Sequence, residues 1–425
     1  MRFRQFLLKL HSRCNLACSY CYVYEAADQS WRDKPRRMEL DTVRRVAERI
    51  AEYRRAVPGD VSVTLHGGEP LLVGARHLGE TLRILSDALD GDGEGGGGGR
   101  VSYGMQTNGV LLRDDPGLLR VLHRYGVRVG VSLDGTAGGH DRYRRFADGR
   151  GSHGVVAEAL RTLGSDANKP MYAGVLCTID LDADPVATYE ALLEFAPPRM
   201  DLLLPHGTWE APPPGLAARR LPPVAPPAGL GAEGAAPDPG RGGGTPYADW
   251  LGAVFDRWYG APRRETGIRL FEELITLLLG GRASSEIVGT GEPDLVVVET
   301  DGSLELVDSL KVSYEGAAAT SLGVHRDSFA DAALHPAFRV PGRSPVCAAC
   351  PLLPVCGGGL HAHRYRVTAD GSDPFGHPTV YCADMAALIG HIRERLAPDV
   401  LALRGLRESR GRERGGGGAG EVRAR

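Results

Sequence analysis

The first 206 residues predict an α/β fold with a parallel sheet. Two observations carry this expectation: six strand-like segments alternate with segments of helical period, and the turns after the strands concentrate glycine and polar residues. Six βα units with right-handed crossovers fall short of the eight that close a full barrel, so a partial (β/α)6 TIM barrel is expected. Residues 3–10 read as the first strand, ending at a cysteine-bearing loop. Residues 40–53 place Leu40, Val43, Val46, Ala47 and Ile50 at helical spacing. Further strands are expected at 61–66, 101–106, 127–133, 171–179 and 201–205, separated by helices near 77–89, 117–124, 155–163 and 185–195. A glycine run at 91–99 reads as a flexible insertion.

The loop after the first strand, Cys14-Asn-Leu-Ala-Cys18-Ser-Tyr-Cys21, has the spacing C-x3-C-x2-C. Three thiolates on one short loop can hold three irons of a [4Fe–4S] cube and leave the fourth iron open. Zinc or a disulfide is the alternative, but zinc sites usually bring paired C-x2-C units and four ligands close in sequence. The loop resembles, residue for residue, the motif of the radical S-adenosylmethionine (SAM) enzymes, including the aromatic before the last cysteine, Tyr20. The resemblance implies a barrel of the radical SAM type and a cluster on Cys14, Cys18 and Cys21. It also implies SAM bound at the open iron, with Tyr20 against its adenine.

In a parallel sheet, chemistry sits where the strands deliver their C-terminal ends. Gly67-Gly68-Glu69-Pro70 follows the second strand, Gln106-Thr107-Asn108-Gly109 the third, and Ser132-Leu133-Asp134-Gly135 the fourth. All three resemble family segments. The resemblance implies that Gly67 and Gly68 let the backbone approach SAM and that Glu69 accepts from its amino group. It further places Gln106, Asn108 and Ser132 beside the cofactor. The stretch His140-Asp141-Arg142-Tyr143-Arg144 implies a charge-assisted pair from Arg144 to the SAM carboxylate, with Arg142 and Arg145 as rivals. His66, at the end of the second strand, reads either as a SAM contact or as a hydrogen-bonded core histidine. Cys177, isolated in an apolar strand, reads as a small core residue.

Residues 207–246 are rich in Pro, Gly and Ala and read as a flexible linker or loop. Bridging helices are expected within 247–292, carrying Leu251, Val254, Phe255 and Trp258 on one face and Leu270, Phe271, Leu274 and Ile275 on another. A second domain, 293–400, opens with a hairpin turning at Asp301-Gly302. It continues with Cys347-Ala-Ala-Cys350, Cys356 and Cys382, four thiolates that can complete a second cube with no open iron. Zinc is the alternative there. This segment resembles the SPASM extension of peptide-modifying radical SAM enzymes, reduced to one auxiliary cluster because Val307 and Leu360 stand where further cysteines would be. Residues 401–425 read as a disordered tail.

Composition is that of an ordinary globular chain, 42% hydrophobic and 24% charged. A formal net charge of −3 argues against a nucleic-acid binder. No long apolar run or signal peptide is evident, and the clustered cysteines suit a reducing cytoplasm. His11-Ser-Arg-Cys14, Cys21-Tyr-Val-Tyr-Glu, Asp28-Gln-Ser-Trp31, Cys356-Gly-Gly-Gly-Leu-His-Ala-His-Arg-Tyr365 and Tyr381-Cys382-Ala-Asp384 are similar to the FxsB-type branch. That branch modifies ribosomally made precursor peptides, with members and relatives joining an aromatic ring carbon to the β-carbon two residues on, a cyclophane. The resemblance implies a precursor peptide as substrate and a flavodoxin or ferredoxin as electron donor. Likeness to SPASM-type sulfatase maturases implies Asp308, beside Val307, as a base for the ring proton, the alternative being an aspartate that closes a strand or caps a turn. Sulfatase-maturase-like or thioether-forming chemistry is the enzymatic alternative. A non-catalytic iron–sulfur or zinc protein is the other, excluded by SAM-dependent 5′-deoxyadenosine.

Overall fold

A computed structural model describes residues 1–90, 98–217, 244–283, 285–339 and 342–415, with side chains to residue 403. Six strands, β1 (Gln5–His11), β2 (Val61–Gly67), β3 (Val101–Thr107), β4 (Arg128–Ser132), β5 (Tyr172–Thr178) and β6 (Arg199–Leu203), pair in parallel and in chain order. Helices at Leu40–Ala56, Gly74–Leu89, Pro116–Arg124, His153–Gly164 and Pro185–Leu193 return the chain each time. Alternation decides what each face does. In β2, Val61, Val63 and Leu65 are buried while Ser62, Thr64 and His66 lie on the other face, which is the barrel interior. On the helix Leu40–Ala56, the expected stripe of Val43, Val46, Ala47 and Ile50 is buried against the sheet.

The sheet does not stop at the barrel. β7 (Gly267–Ile268) pairs beside β6, and β8 (Leu295–Val298) lies parallel beside β1 in register from Gln5↔Leu295 to Leu8↔Val298. β9 (Ser303–Glu305) and β10 (Ala319–Gly323) follow as antiparallel neighbours. The hairpin expected to open a second domain is therefore an extension of the barrel sheet, built on the edge that six strands leave unpaired.

The glycine run and the Pro/Gly-rich stretch fall largely outside the described residues, at 91–97 and 218–243. The described start of that stretch is not free chain. The Trp209 backbone amide donates to the Tyr365 carbonyl at 3.0 Å, its indole donates to the Pro378 carbonyl at 2.8 Å, and Leu216 is buried. The final helix, Cys382–Gly415, runs past residue 400 and packs against the helix Pro246–Tyr259. Asp384 in its first turn accepts from the amides of Tyr247 and Ala248, at 2.9 and 3.1 Å. A carboxylate at that N-terminus satisfies two otherwise orphaned donors and complements the helix dipole.

Candidate active site at the mouth of the barrel

The C-terminal ends of the strands open into a cavity of about 550 Å³. Its wall brings together Cys14, Cys18, Cys21, Tyr20, His66, Gly67, Gly68, Gln106, Asn108, Ser132 and Arg144, residues taken from strand ends and loops up to 130 positions apart. Besides the four C-terminal cysteines expected at a separate cluster, two of the expected site residues, Glu69 and Asp308, are not on this wall. Glu69 is fully buried behind it, accepting from the Thr107 hydroxyl at 2.8 Å, the Asn108 amide at 2.8 Å and the Leu71 amide at 2.9 Å. Asp308 is also buried off the wall, 2.6 Å from the Lys9 ammonium.

Close approach builds the cysteine side of the site. The amide of Gly68 donates to the His11 carbonyl, and that of Glu69 to the Arg13 carbonyl, so the turn after β2 lies directly on the loop leaving β1. A Cβ on Gly68 would fall 1.8 Å from the Tyr24 hydroxyl and 2.6 Å from the Arg13 backbone. Only glycine fits there. Burial pushes the Cys14 thiol up to about 12 and raises Cys18 and Cys21 as well. Compensation of the thiolates must therefore come from bound positive charge. The loop already offers donors to sulfur, from the Leu16 amide to Cys14 Sγ at 3.4 Å and from Asn108 Nδ2 at 3.6 Å.

Beside the cysteine loop, Arg144 Nη1 donates to the Tyr20 hydroxyl at 2.9 Å, and that hydroxyl donates to Asp134. Asp134 also accepts from the Thr178 amide, and its own amide donates to His140 Nδ1 at 3.2 Å. Burial raises the Asp134 carboxyl, against the opposing pull of Arg144. Arg144 Nε is buried without a partner, a guanidinium edge that calls for an anion. The rivals are engaged elsewhere: Arg142 pairs with Asp180 at 2.6 Å, and Arg145 Nε donates to the Asp141 carbonyl at 2.5 Å. Gln106 Nε2 donates to Ser132 Oγ at 3.0 Å. The donor set fits both groups the fold class uses, three soft thiolates for a cluster and an unsatisfied cation beside an aromatic for SAM.

The far wall carries Tyr22, His66, His206, Ile179, Leu203 and Leu204. His66 Nδ1 is buried without a partner, and burial lowers its imidazole to about 4. Sequence reasoning missed Tyr22, Asp134 and His206 as site residues. Asp134 lies inside a quoted turn and His206 follows β6, so the rule that strand ends carry chemistry already contained both.

Behind this wall, Lys9, Glu299, Glu305, Asp308 and Lys311 form a buried ion cluster. Lys9 Nζ lies 3.7 Å from Glu299, and Lys311 Nζ lies 2.8 Å from Glu299 and 3.0 Å from Glu305. Lys9 meets Asp308 at ion-pair distance but off the hydrogen-bond direction, so the contact is electrostatic. Burial alone would lower the Lys9 pKa, but Asp308 and Glu299 beside it raise it. Burial would likewise raise Glu299, yet Lys9 and Lys311 bring it down to about 2. The three carboxylates are close enough to hold an ion, and two ammonium groups already fill that place.

In the C-terminal part, Cys347 lies in the helical turn Pro345–Ala348, Cys350 follows it, and Cys356 ends the short helix Leu353–Cys356, which packs on the helix starting at Cys382. Gly357, Gly358 and Gly359 all have positive φ, and the Arg364 guanidinium donates to their three carbonyls at 3.3, 3.1 and 2.6 Å. Burial raises Cys347, and raises Cys356 to about 11, while Arg364 pulls both down. Among the described residues no three cysteine sulfurs lie within 4.8 Å of one another. Four thiolates can complete a cube with no open iron. Cys177, 1% exposed within β5, is a core residue.

Residues 8–176 match the Radical SAM superfamily, so this part of the chain is a radical SAM domain, of an enzyme class that uses a [4Fe–4S] cluster and SAM. The cysteine-type anaerobic sulfatase-maturating enzyme of Clostridium novyi is 27% identical over 152 residues, 36% of this chain and 38% of that one. The fold as a whole is that of anSMEcpe, solved with bound AdoMet and the Cp18Cys peptide, with a TM-score of 0.67 at 19% identity over 94% of this chain and 98% of that one. Streptococcus suis SuiB, solved bound to the precursor peptide SuiA, superposes with a TM-score of 0.54 at 10% identity, over 90% of this chain and 76% of that one. The sequence matches span 34–38% of the length of the first curated relatives. Among the described residues no helix is long and apolar enough to cross a membrane.

Proposed function

We propose that this chain is a cytoplasmic radical SAM enzyme that modifies a ribosomally synthesised precursor peptide, joining an aromatic ring carbon to the β-carbon of a residue two positions on. The observation that carries the reading is the composition of one cavity, whose wall brings together three cysteines, Arg144, Tyr22, two neutral imidazoles and apolar side chains. It is supported by the peptides held by two proteins of the same fold, the Cp18Cys peptide on anSMEcpe and SuiA on SuiB.

When bound, the cluster at Cys14, Cys18 and Cys21 and SAM supply a radical able to take hydrogen from an unactivated carbon. The chain's own residues do the rest. Arg144 offers its free Nε to a carboxylate, Tyr20 holds that guanidinium in place through its hydroxyl, and Gly67 and Gly68 let the turn after β2 close on the cysteine loop, where a Cβ would strike the His11 and Arg13 backbone. Gln106, Ser132 and Asn108 supply further polar contacts. Glu69 acts from behind, bracing the turns after β2 and β3 against each other. A flavodoxin or ferredoxin is the proposed reductant. Similarity to a sulfatase-maturating enzyme favours a second reading, oxidation of one peptide side chain or thioether formation on the same site.

Co-expression with a small open reading frame beside the gene, followed by tandem mass spectrometry, tests the reading. A product short of two hydrogens with a carbon–carbon link supports it, whereas an aldehyde or a thioether selects the second reading. Cys347, Cys350, Cys356 and Cys382 allow one auxiliary cube, so the reconstituted chain is expected to bind about eight irons, against about twelve for three cubes. Mössbauer spectroscopy checks the count.

A further inference from the structure

His206 and His363 form a pair to which the reading above gives no chemical role. His206 follows β6 and lies on the cavity wall. His363 belongs to the turn His361–Arg364 of the C-terminal part and is 2% exposed. His206 Nδ1 and His363 Nε2 are 3.0 Å apart. Both rings are neutral, because burial lowers His206 to about 4 and His363 far below the ordinary imidazole value. Two neutral imidazoles at that distance share one proton, donated by one ring to the lone pair of the other. The ring planes are held by Tyr22, edge-on to His206 at 4.9 Å between centroids, and by Tyr381, 5.1 Å from His363. His206 Nε2 makes no hydrogen bond among the described residues and is open to the cavity.

We propose that His206 Nε2 accepts the proton that the substrate sheds as its cross-link matures, with His363 as the positioning residue that fixes the tautomer. The proposal rests on the function proposed above. Once the substrate β-carbon has lost a hydrogen atom, it bonds to a ring carbon, which then carries both the new bond and its original hydrogen. Aromaticity returns when that ring gives one electron to an iron–sulfur acceptor and one proton to His206 Nε2. The substrate has then lost two hydrogens and gained one carbon–carbon bond. Donation from His206 Nδ1 to His363 leaves Nε2 bare in the resting state and stabilises the imidazolium once it forms, the logic of a base oriented by a further group. Asp308, expected from the sequence to be this base, faces Lys9 and is off the wall.

The test has two arms. Long-range proton–nitrogen NMR of the holoenzyme with isotope-labelled histidine should find His206 as the Nδ1–H tautomer, and His363→Phe should abolish that preference. An Nε2–H tautomer of His206 in the wild type overturns the proposal. With a precursor peptide that the wild type cross-links, His206→Gln should lower cross-linked product by roughly a hundredfold, within the range for acid–base groups, while 5′-deoxyadenosine formation and iron content persist. Wild-type product yield from His206→Gln, or loss in Asp308→Asn with retention in His206→Gln, overturns it. If His206→Gln fails to retain iron, His206→Asn and the tautomer measurement carry the test. Failure of the wild type to cross-link any precursor counts against the proposed function and leaves the tautomer arm standing.

Discussion

Replacing Cys14, Cys18 and Cys21 together by Ala is expected to remove about four irons per chain and to abolish 5′-deoxyadenosine formation, with the auxiliary irons retained. The three residues share one loop between β1 and the rest of the barrel, so no other cysteine can take their place. Cys177 is sealed within β5, and the remaining four lie in the C-terminal part. Alanine at all three positions also removes buried thiols that are costly to ionise without metal, so loss of the fold is not expected. Iron analysis and anaerobic incubation with SAM and dithionite check both halves. Retained SAM cleavage would sink the assignment of the cluster to this loop, and loss of all iron would mean that the two clusters depend on each other.

Local chemistry was legible in the sequence because its signals are local. The C-x3-C-x2-C loop, the turns after β2, β3 and β4 and the helical stripe at Leu40, Val43, Val46 and Ile50 need only neighbours a few positions away. Arg144 was carried from the sequence with Arg142 and Arg145 as rivals, and only three dimensions bring Tyr20 and Asp134 around it and pair Arg142 with Asp180. Two further features depend on partners hundreds of residues distant. Nothing in Leu295–Val298 tells a strand of a separate hairpin from one that adds to β1, since both read as a short apolar run. Likewise nothing near Lys9 in the sequence marks it as buried, yet it is 3% exposed, because Asp308 and Glu299 arrive from the far end of the chain. Asp308 was singled out for its place in a motif, and its surroundings turned it toward that lysine.

Lys9→Met is expected to destabilise the chain by about 3–5 kcal/mol, the usual cost of stripping one partner from a buried ion pair. Among the described residues, removing the ammonium takes away the one cation within 4 Å of Asp308, leaving it the more distant Lys311, and leaves Glu299 with Lys311 at 2.8 Å. Lys9 sits on β1, while Asp308 opens the helical turn Asp308–Val312 after β9, so the pair fastens the added hairpin to the strand that leads into the cysteine loop. The penalty comes from uncompensated charge more than from a lost attraction, and that distinguishes it from simple cavity formation. Lys9→Met combined with Asp308→Leu, which removes both charges, should therefore recover at least half of the stability lost in Lys9→Met. Anaerobic urea denaturation of wild type, both single variants and the double variant gives the coupling directly. Additive losses would mean that the two charges do not hold each other, and that the hairpin is fixed to β1 by backbone pairing alone.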